Sequence, residues 1–376
     1  MTMNKKLGLY LHLPFCLSKC GYCDFCSFPA VTEKGMAEYT EALLQEVRHH
    51  AQAAKDRRVD TVFFGGGTPT LLPLSLFERI FETLHSLYSI EKDAEITLEA
   101  NPASISKEKL ASLRSMGFNR LSMGAQSFQN EELLRLGRAH TAEEAAAFYQ
   151  DVRDGGFSNV NIDLMYAIPS QTAESFEKSL STAMALAPEH LSVYSLIVEE
   201  GTPFYQKRDS LDLPSEEEEE KMRCLLLKKT RAAGYERYEI SNFAKSGYAC
   251  RHNLHYWRNE EYLGFGLAAY SYFGGDRYGN GRNMQEYLQA PTGAVAEKET
   301  LSVQDAAYEY VMTHLRLSEG FSLAEYKAAF GIDFLALHAL RLQEYKALGL
   351  LKTENGRIFL TDEGMNLSNS ILVSFM

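Results

Sequence analysis

The sequence predicts an α/β fold, a partial (β/α)6 barrel followed by a smaller C-terminal α+β domain. Three observations lead there. Short apolar runs alternate with amphipathic helical stretches from residue 7 to about 197. Every glycine-rich or polar motif in that region directly follows one of the apolar runs. After residue 200 the rhythm is lost, and the last 75 or so residues read as helices followed by a short hairpin.

The run Leu7-Gly-Leu-Tyr-Leu-His-Leu-Pro14 alternates as a strand does, so it opens the barrel at 7–14. Further strands are expected at 59–65, 95–100, 120–125, 159–166 and 190–196. Helices fit between them at 36–54, 74–88, 106–115, 129–135 with 142–154, and 171–186. Six such units imply a parallel sheet curved toward a barrel. The motifs Gly65-Gly-Gly-Thr-Pro69, Glu99-Ala-Asn-Pro102, Gln126-Ser-Phe128 and Ala167-Ile-Pro-Ser170 all fall at C-terminal strand ends, where β/α barrels carry their chemistry.

Beyond residue 200, a helix at 214–233 begins with the run Glu216 to Glu220, which reads as a solvated first turn favoured by the helix dipole. Arg237-Tyr-Glu-Ile-Ser-Asn-Phe243 and an aromatic, glycine-rich stretch at 248–283 follow. Helices at 303–316, 322–329 and 335–348 then precede strands at 349–352 and 357–360, an order that resembles a winged helix. The expected units are residues 1–200, 201–300 and 301–376.

The bulk properties narrow the function. The 376 residues are 45% hydrophobic and 23% charged, ordinary for a globular protein, and no apolar stretch is long enough to span a membrane. A formal net charge of −12 argues against binding phosphate backbones, so no nucleic-acid partner is expected. Met1-Thr-Met-Asn-Lys-Lys shows no cleavable signal pattern, and six cysteines, three or four of them in one cluster, suit a reducing cytosol. The location expected is cytoplasmic.

The most specific feature is Cys16-Leu-Ser-Lys-Cys20-Gly-Tyr-Cys23, directly behind the first strand. Three thiolates in one loop can converge on an iron–sulfur cluster; four would close a [4Fe–4S] cluster, whereas three leave one iron open. A zinc site or a redox disulfide are the other readings of such spacing. Gly65-Gly66-Gly67-Thr68 lets backbone approach a ligand closely, although a tight strand-to-helix turn would use the same residues.

CxxxCxxC with an aromatic residue before the last cysteine resembles the radical S-adenosylmethionine (radical SAM) superfamily. The glycine run behind it resembles the segment that holds the methionine amino group. Within that superfamily the chain resembles the oxygen-independent coproporphyrinogen III oxidases and the haem chaperones related to them, over nearly its whole length. The resemblance implies Cys16, Cys20 and Cys23 as ligands of a [4Fe–4S] cluster. Tyr10, Gly66 and Glu99 would contact SAM on that cluster. Tyr22, Gly67, Thr68, Gln126, Arg138, Asp163 and Ile197 match the wall that receives a second SAM or the substrate. A carboxylate can bind ribose hydroxyls and Arg can pair with a carboxylate, while Asp163 on an apolar strand could instead cap or pair inside the barrel. The implied chemistry is reductive cleavage of SAM to a 5′-deoxyadenosyl radical, used by the oxidases to turn a propionate into a vinyl group.

Three features point to the haem-chaperone branch. The oxidase pattern CxxxCxxCxC is not met, since residue 25 is Phe and the extra thiol is Cys26, expected to be a spare. Only 15 residues precede Cys16, where the oxidases carry a longer segment. His252-Asn-Leu-His-Tyr-Trp257 gives HNxxYW, which resembles the hallmark of that branch, and Tyr262-Leu-Gly-Phe-Gly266, Asn280 and Glu239-Ile-Ser-Asn-Phe243 fit it too. His252 is the candidate axial ligand of haem, with His255 a second, and Tyr256 and Trp257 could pack on the porphyrin; core packing is the ordinary alternative for each. One departure is Gly266-Leu-Ala-Ala-Tyr270, where the branch commonly reads GxGPGAHS, so Pro, Gly and His are replaced. Cys224 and Cys250 are expected to be buried or partly buried ordinary thiols.

The resemblance thus implies a carrier that binds a SAM-ligated [4Fe–4S] cluster and haem and delivers haem to acceptor haem proteins, membrane-bound cytochromes among them. It implies an electron donor for the cluster, a homodimer, and peripheral contact with the membrane during delivery. The alternative is a true enzyme, anaerobic oxidative decarboxylation of coproporphyrinogen III; haem-degrading radical SAM methyltransferases come third.

Overall fold

The structure is a computed structural model and describes residues 5–102 and 104–375; residues 1–4 of the N-terminal segment read above lie outside it. Six parallel strands form its centre: β1 (Lys5–Leu13), β2 (Arg57–Gly66), β3 (Ser89–Ala100), β4 (Arg120–Gln126), β5 (Val160–Tyr166) and β6 (His190–Ser195), adjacent in that order. Helices α1 (Glu33–Ala51), α2 (Leu74–Leu87), α3 (Lys107–Met116), α4 (Asn130–Leu136), α5 (Ala142–Asp154) and α6 (Ala173–Ala185) connect them. Strand alternation sets the two faces. Leu7, Leu9, Leu11 and Leu13 are fully buried in the helix-covered core, while Tyr10 turns to the interior of the curved sheet.

Local chemistry explains the helix starts. Thr32, Ser106, Thr141, Thr172 and Ser215 each cap a helix N-terminus with the side-chain oxygen, and Thr141 with Glu144 completes a capping box. β3 starts at Ser89 rather than 95. Its first residues lack an apolar pattern but are held extended by pairing Arg58 with Ser89 and Val59 with Ile90. The acidic run opens the helix Glu216–Ala232, where Glu218 accepts from the backbone N–H of Ala173 at 2.7 Å and so also serves the start of α6.

Residues 201–300 extend the same sheet at both edges. Tyr262–Phe265 pairs parallel with β1, and Asn242–Ala244 pairs antiparallel with β6. The twelve-stranded sheet runs from Val295–Thr300 to Glu236–Arg237 and stays open. One hydrophobic core includes side chains from Leu7 to Tyr287.

A second core, from Ala307 to Phe375, belongs to the C-terminal domain. There the helices Val303–His314 and Leu323–Phe330 and the hairpin of Leu351–Glu354 with Arg357–Leu360 match the expected order, while Phe321–Ser322, which the sequence reading did not expect, adds a third strand beside Arg357–Leu360. The single helix expected at 335–348 is two, Phe334–Leu337 and Ala339–Ala347, broken at His338, whose ring packs on Phe334 and Phe375. The hairpin turns at Asn355-Gly356, both with positive φ, as a tight two-residue turn demands.

Candidate functional site

The C-terminal ends of the strands surround a cavity of about 670 Å³ whose wall includes Cys16, Cys20 and Cys23. Of the other residues singled out from the sequence, Tyr10, Tyr22, Gly66, Gly67, Thr68, Glu99, Gln126, Arg138, Asp163, His252 and Tyr256 line it. Ile197 is 65% exposed and, like Trp257, is not part of that wall.

The glycine turn is built for close approach. Gly66 has φ +113°, and a Cβ there would sit 2.6 Å from the His12 ring; one on Gly67 would meet the Phe15 carbonyl oxygen at 2.5 Å. The Gly66 N–H donates to Glu99 Oε2 at 3.0 Å, which ties the ends of β2 and β3 together. Removal from water, aided by the nearby Asp163 charge, pushes the Glu99 carboxyl up to about 7. Asp163 is likewise raised by burial and accepts from Asn161 at 2.6 Å. Behind the turn, His12 Nε2 donates to the Cys26 carbonyl at 2.8 Å, so its Nδ1 accepts from the Tyr10 hydroxyl at 3.0 Å. Burial lowers the His12 pKa and keeps the ring neutral.

Around the thiols, Arg138 donates to Asn101 Oδ1 at 2.5 Å and to the Gly124 carbonyl at 2.7 Å, with Nη1 3.5 Å from Cys20 Sγ. Thr68 accepts from Asn101 Nδ2 at 2.7 Å, and its hydroxyl faces Cys16 Sγ at 3.9 Å. Burial pushes the Cys23 thiol up, so it is the more protonated the drier the site. Among the described residues, no group of three or more His, Cys, Asp or Glu side chains is close enough to hold a single metal ion. Three half-buried thiols on one cavity wall are a donor set that fits an iron–sulfur cluster. Cys26 does not face them: its thiol is directed at the Arg282 carbonyl, 3.9 Å away.

The helix Arg251–Trp257 plugs the opposite, N-terminal end of the strands. Glu95 on β3 anchors it, accepting from the backbone N–H of Arg251 and of His252, both at 3.1 Å, and from the Cys250 thiol at 3.4 Å. His252 is 1% exposed and has both ring nitrogens engaged, Nδ1 with Thr61 Oγ1 and Nε2 with Tyr256 Oη, each at 2.8 Å. Burial holds its pKa well below the usual value. His255 pairs with Asp60 at 2.8 Å. The Trp257 ring lies under the Arg316 guanidinium at 5.9 Å.

Two expectations need correction or extension. Cys224 is exposed rather than buried, because it lies on the outer face of its helix beside Glu220; Cys250 is buried as expected. In the divergent loop, Ala268 keeps a positive φ of 54° where the branch commonly has glycine, and Tyr270 is bonded to Glu297 and lies outside the cavity wall. Sequence reasoning missed the polar floor of the cavity, Arg120, Asn161, His190 and Tyr238. Asn161 stands two residues before Asp163 and so shares its face, which is the signal that could have found it.

A parallel barrel-like sheet with three thiols and a glycine cradle at one rim is the arrangement of a radical SAM protein. The comparisons agree: the model of the radical SAM superfamily matches residues 10–183 and that of the HemN C-terminal domain matches residues 301–367. The chain is 35% identical to a protein named heme chaperone HemW from Bacillus subtilis (strain 168), over 98% of both chains. It is 33% identical to the protein of the same name from Escherichia coli (strain K12), over 100% of both. The solved Escherichia coli coproporphyrinogen III oxidase (HemN), described as a radical SAM enzyme, superposes with a TM-score of 0.86 at 28% identity, covering 99% of this chain and 90% of that one. The chain belongs to the HemW family of radical SAM proteins.

Proposed function

We propose that the protein is a haem carrier that binds haem and a SAM-ligated [4Fe–4S] cluster and passes haem to acceptor haem proteins. Full-length similarity to proteins named heme chaperone HemW is the observation that carries this reading. The cavity supports it: the thiols occupy one end, and the helix bearing HNxxYW closes the other.

Cys16, Cys20 and Cys23 would hold the cluster, with Tyr10, Gly66 and Glu99 receiving SAM. When bound, that pair supplies one-electron reduction. Tyr22, Gly67, Thr68, Gln126, Arg138 and Asp163 offer the hydrogen-bonding wall for a second guest; Ile197, exposed and outside that wall, is not among them. For His252 to meet haem iron through Nε2, the Tyr256 hydroxyl must turn away, while Thr61 keeps the ring oriented through Nδ1. The acceptors, membrane-bound cytochromes included, an electron donor, a homodimer and a cytoplasmic location with contact at the membrane belong to the same reading. No helix among the described residues is long and apolar enough to cross a membrane.

The second reading is coproporphyrinogen III oxidation, favoured by the superposition on HemN. Anaerobic incubation of the reconstituted protein with SAM, a reductant and coproporphyrinogen III separates the two. The carrier reading expects no decarboxylation, and haem that is bound and then handed to an apo-haem protein. Protoporphyrinogen formed over several turnovers would replace it with the oxidase.

A further inference from the structure

We propose that the cavity floor is a carboxylate subsite centred on Arg120, and that it takes a propionate of the tetrapyrrole. The inference rests on the haem reading above and adds to it a residue that no motif marked.

Arg120 is the first residue of β4, is 2% exposed, and lines the cavity at the floor. Its Nε has no hydrogen-bond partner among the described residues. A guanidinium does not shed its proton, so a buried one with an unused donor is left with an uncompensated desolvation cost. The acceptors nearby are committed to one another. Asn161 Oδ1 accepts from His190 Nδ1 at 2.6 Å and from Ser192 at 3.2 Å. The other His190 nitrogen is 2.9 Å from the Tyr238 hydroxyl. Glu95 is used by the plug helix and Cys250, and Asp163 by Asn161 and Ser122.

The floor is therefore a finished network around one cation that still has a donor to give. Glu95 and Asp163 are the acidic groups that bear on it, and their contacts already hold them to other partners. Guanidinium matches a carboxylate in shape, with two parallel N–H···O bonds. A guest whose iron meets His252 has its carboxylate arms within the same chamber as Arg120, since both residues line one cavity. A free small acid offers the same chemistry as a propionate arm, so the test must tell these sources apart.

The full-length, anaerobically reconstituted protein is titrated with haem and with haem dimethyl ester, in which both carboxylates are blocked and iron and ring are unchanged. Haem is expected to bind at least tenfold more tightly than the ester, and R120Q to lose that preference while still binding the ester as the parent does. Unfolding temperature is measured in parallel with and without sodium propionate. If R120Q does not fold, the acid-against-ester comparison on the unaltered protein decides alone. Equal affinity for haem and ester, or a preference that survives in folded R120Q, overturns the proposal. Equal affinity combined with a propionate-induced rise in unfolding temperature, absent in R120Q, overturns the tetrapyrrole assignment and gives the subsite to a small acid. If neither haem nor ester binds, the haem reading itself fails, and with it the tetrapyrrole assignment.

Discussion

At the scale of single residues, the site depends on which way each thiol points. Cys16, Cys20 and Cys23 share the cavity wall, while Cys26 turns to the Arg282 carbonyl. Replacing any of the first three by Ala should abolish cluster iron after anaerobic reconstitution, whereas C26S should keep the parent's iron content and its visible absorption. The glycine cradle gives a second expectation. In G67A the new methyl meets backbone rather than a movable side chain, 2.5 Å from the Phe15 oxygen. That should destabilise the fold by about 1–3 kcal/mol and weaken SAM retention; denaturant midpoints and equilibrium dialysis check both. Cysteine spacing and the Gly run were legible because the chain there is local: the three thiols lie within eight residues. Arg120 was not, since its meaning comes from three other strands and a helix folded over it.

At the scale of elements, helix and strand positions follow the sequence closely where a single face is buried. All six central strands lie at or within a few residues of the apolar runs, and departures have local causes, such as the break at His338 or the early start of β3. The plug helix is different. Seven residues make too short a helix to stand alone, so Arg251–Trp257 depends on the Glu95 carboxylate at its N-terminus. Nothing in the HNxxYW string reveals that anchor, which comes from β3. Glu95→Ala should cost about 2–3 kcal/mol through unsatisfied N–H groups. It should also raise amide exchange at 252–257 well before α1 or α5 opens, as read by hydrogen exchange with mass spectrometry.

At the scale of the whole molecule, two hydrophobic cores meet along a polar seam. Asp362 receives Arg231 and Arg237, Arg258 reaches Glu319, and Glu239 bridges in antiparallel fashion to Leu317. Glu239 is buried there with one carboxylate oxygen unpartnered among the described residues, and burial pushes its pKa up to about 7 from an ordinary 4.5. The folded state thus holds this proton more tightly than the unfolded chain does. Its contribution is complete below pH 4.5 and is lost as pH rises through 7. Glu239→Gln, which stays neutral, should gain on the parent with rising pH, by up to about 3 kcal/mol between pH 4.5 and 8. Unfolding curves of both proteins across that range provide the check. The domain order was readable from the changing rhythm of the sequence. The sharing of one core between the first 200 residues and the next segment was not, because it depends on strands that return to the sheet edges.

That return has a consequence for how the chain is made. Because Tyr262–Phe265 completes the sheet beside β1, the strand leading into the cysteine loop leaves the ribosome early yet keeps one hydrogen-bonding edge open until residue 265 has been synthesised. Throughout that interval the nascent chain carries an unpaired edge next to its thiols, a template for wrong partners and a slow long-range closure. Assembly of the rim is therefore timed by a segment translated long after it.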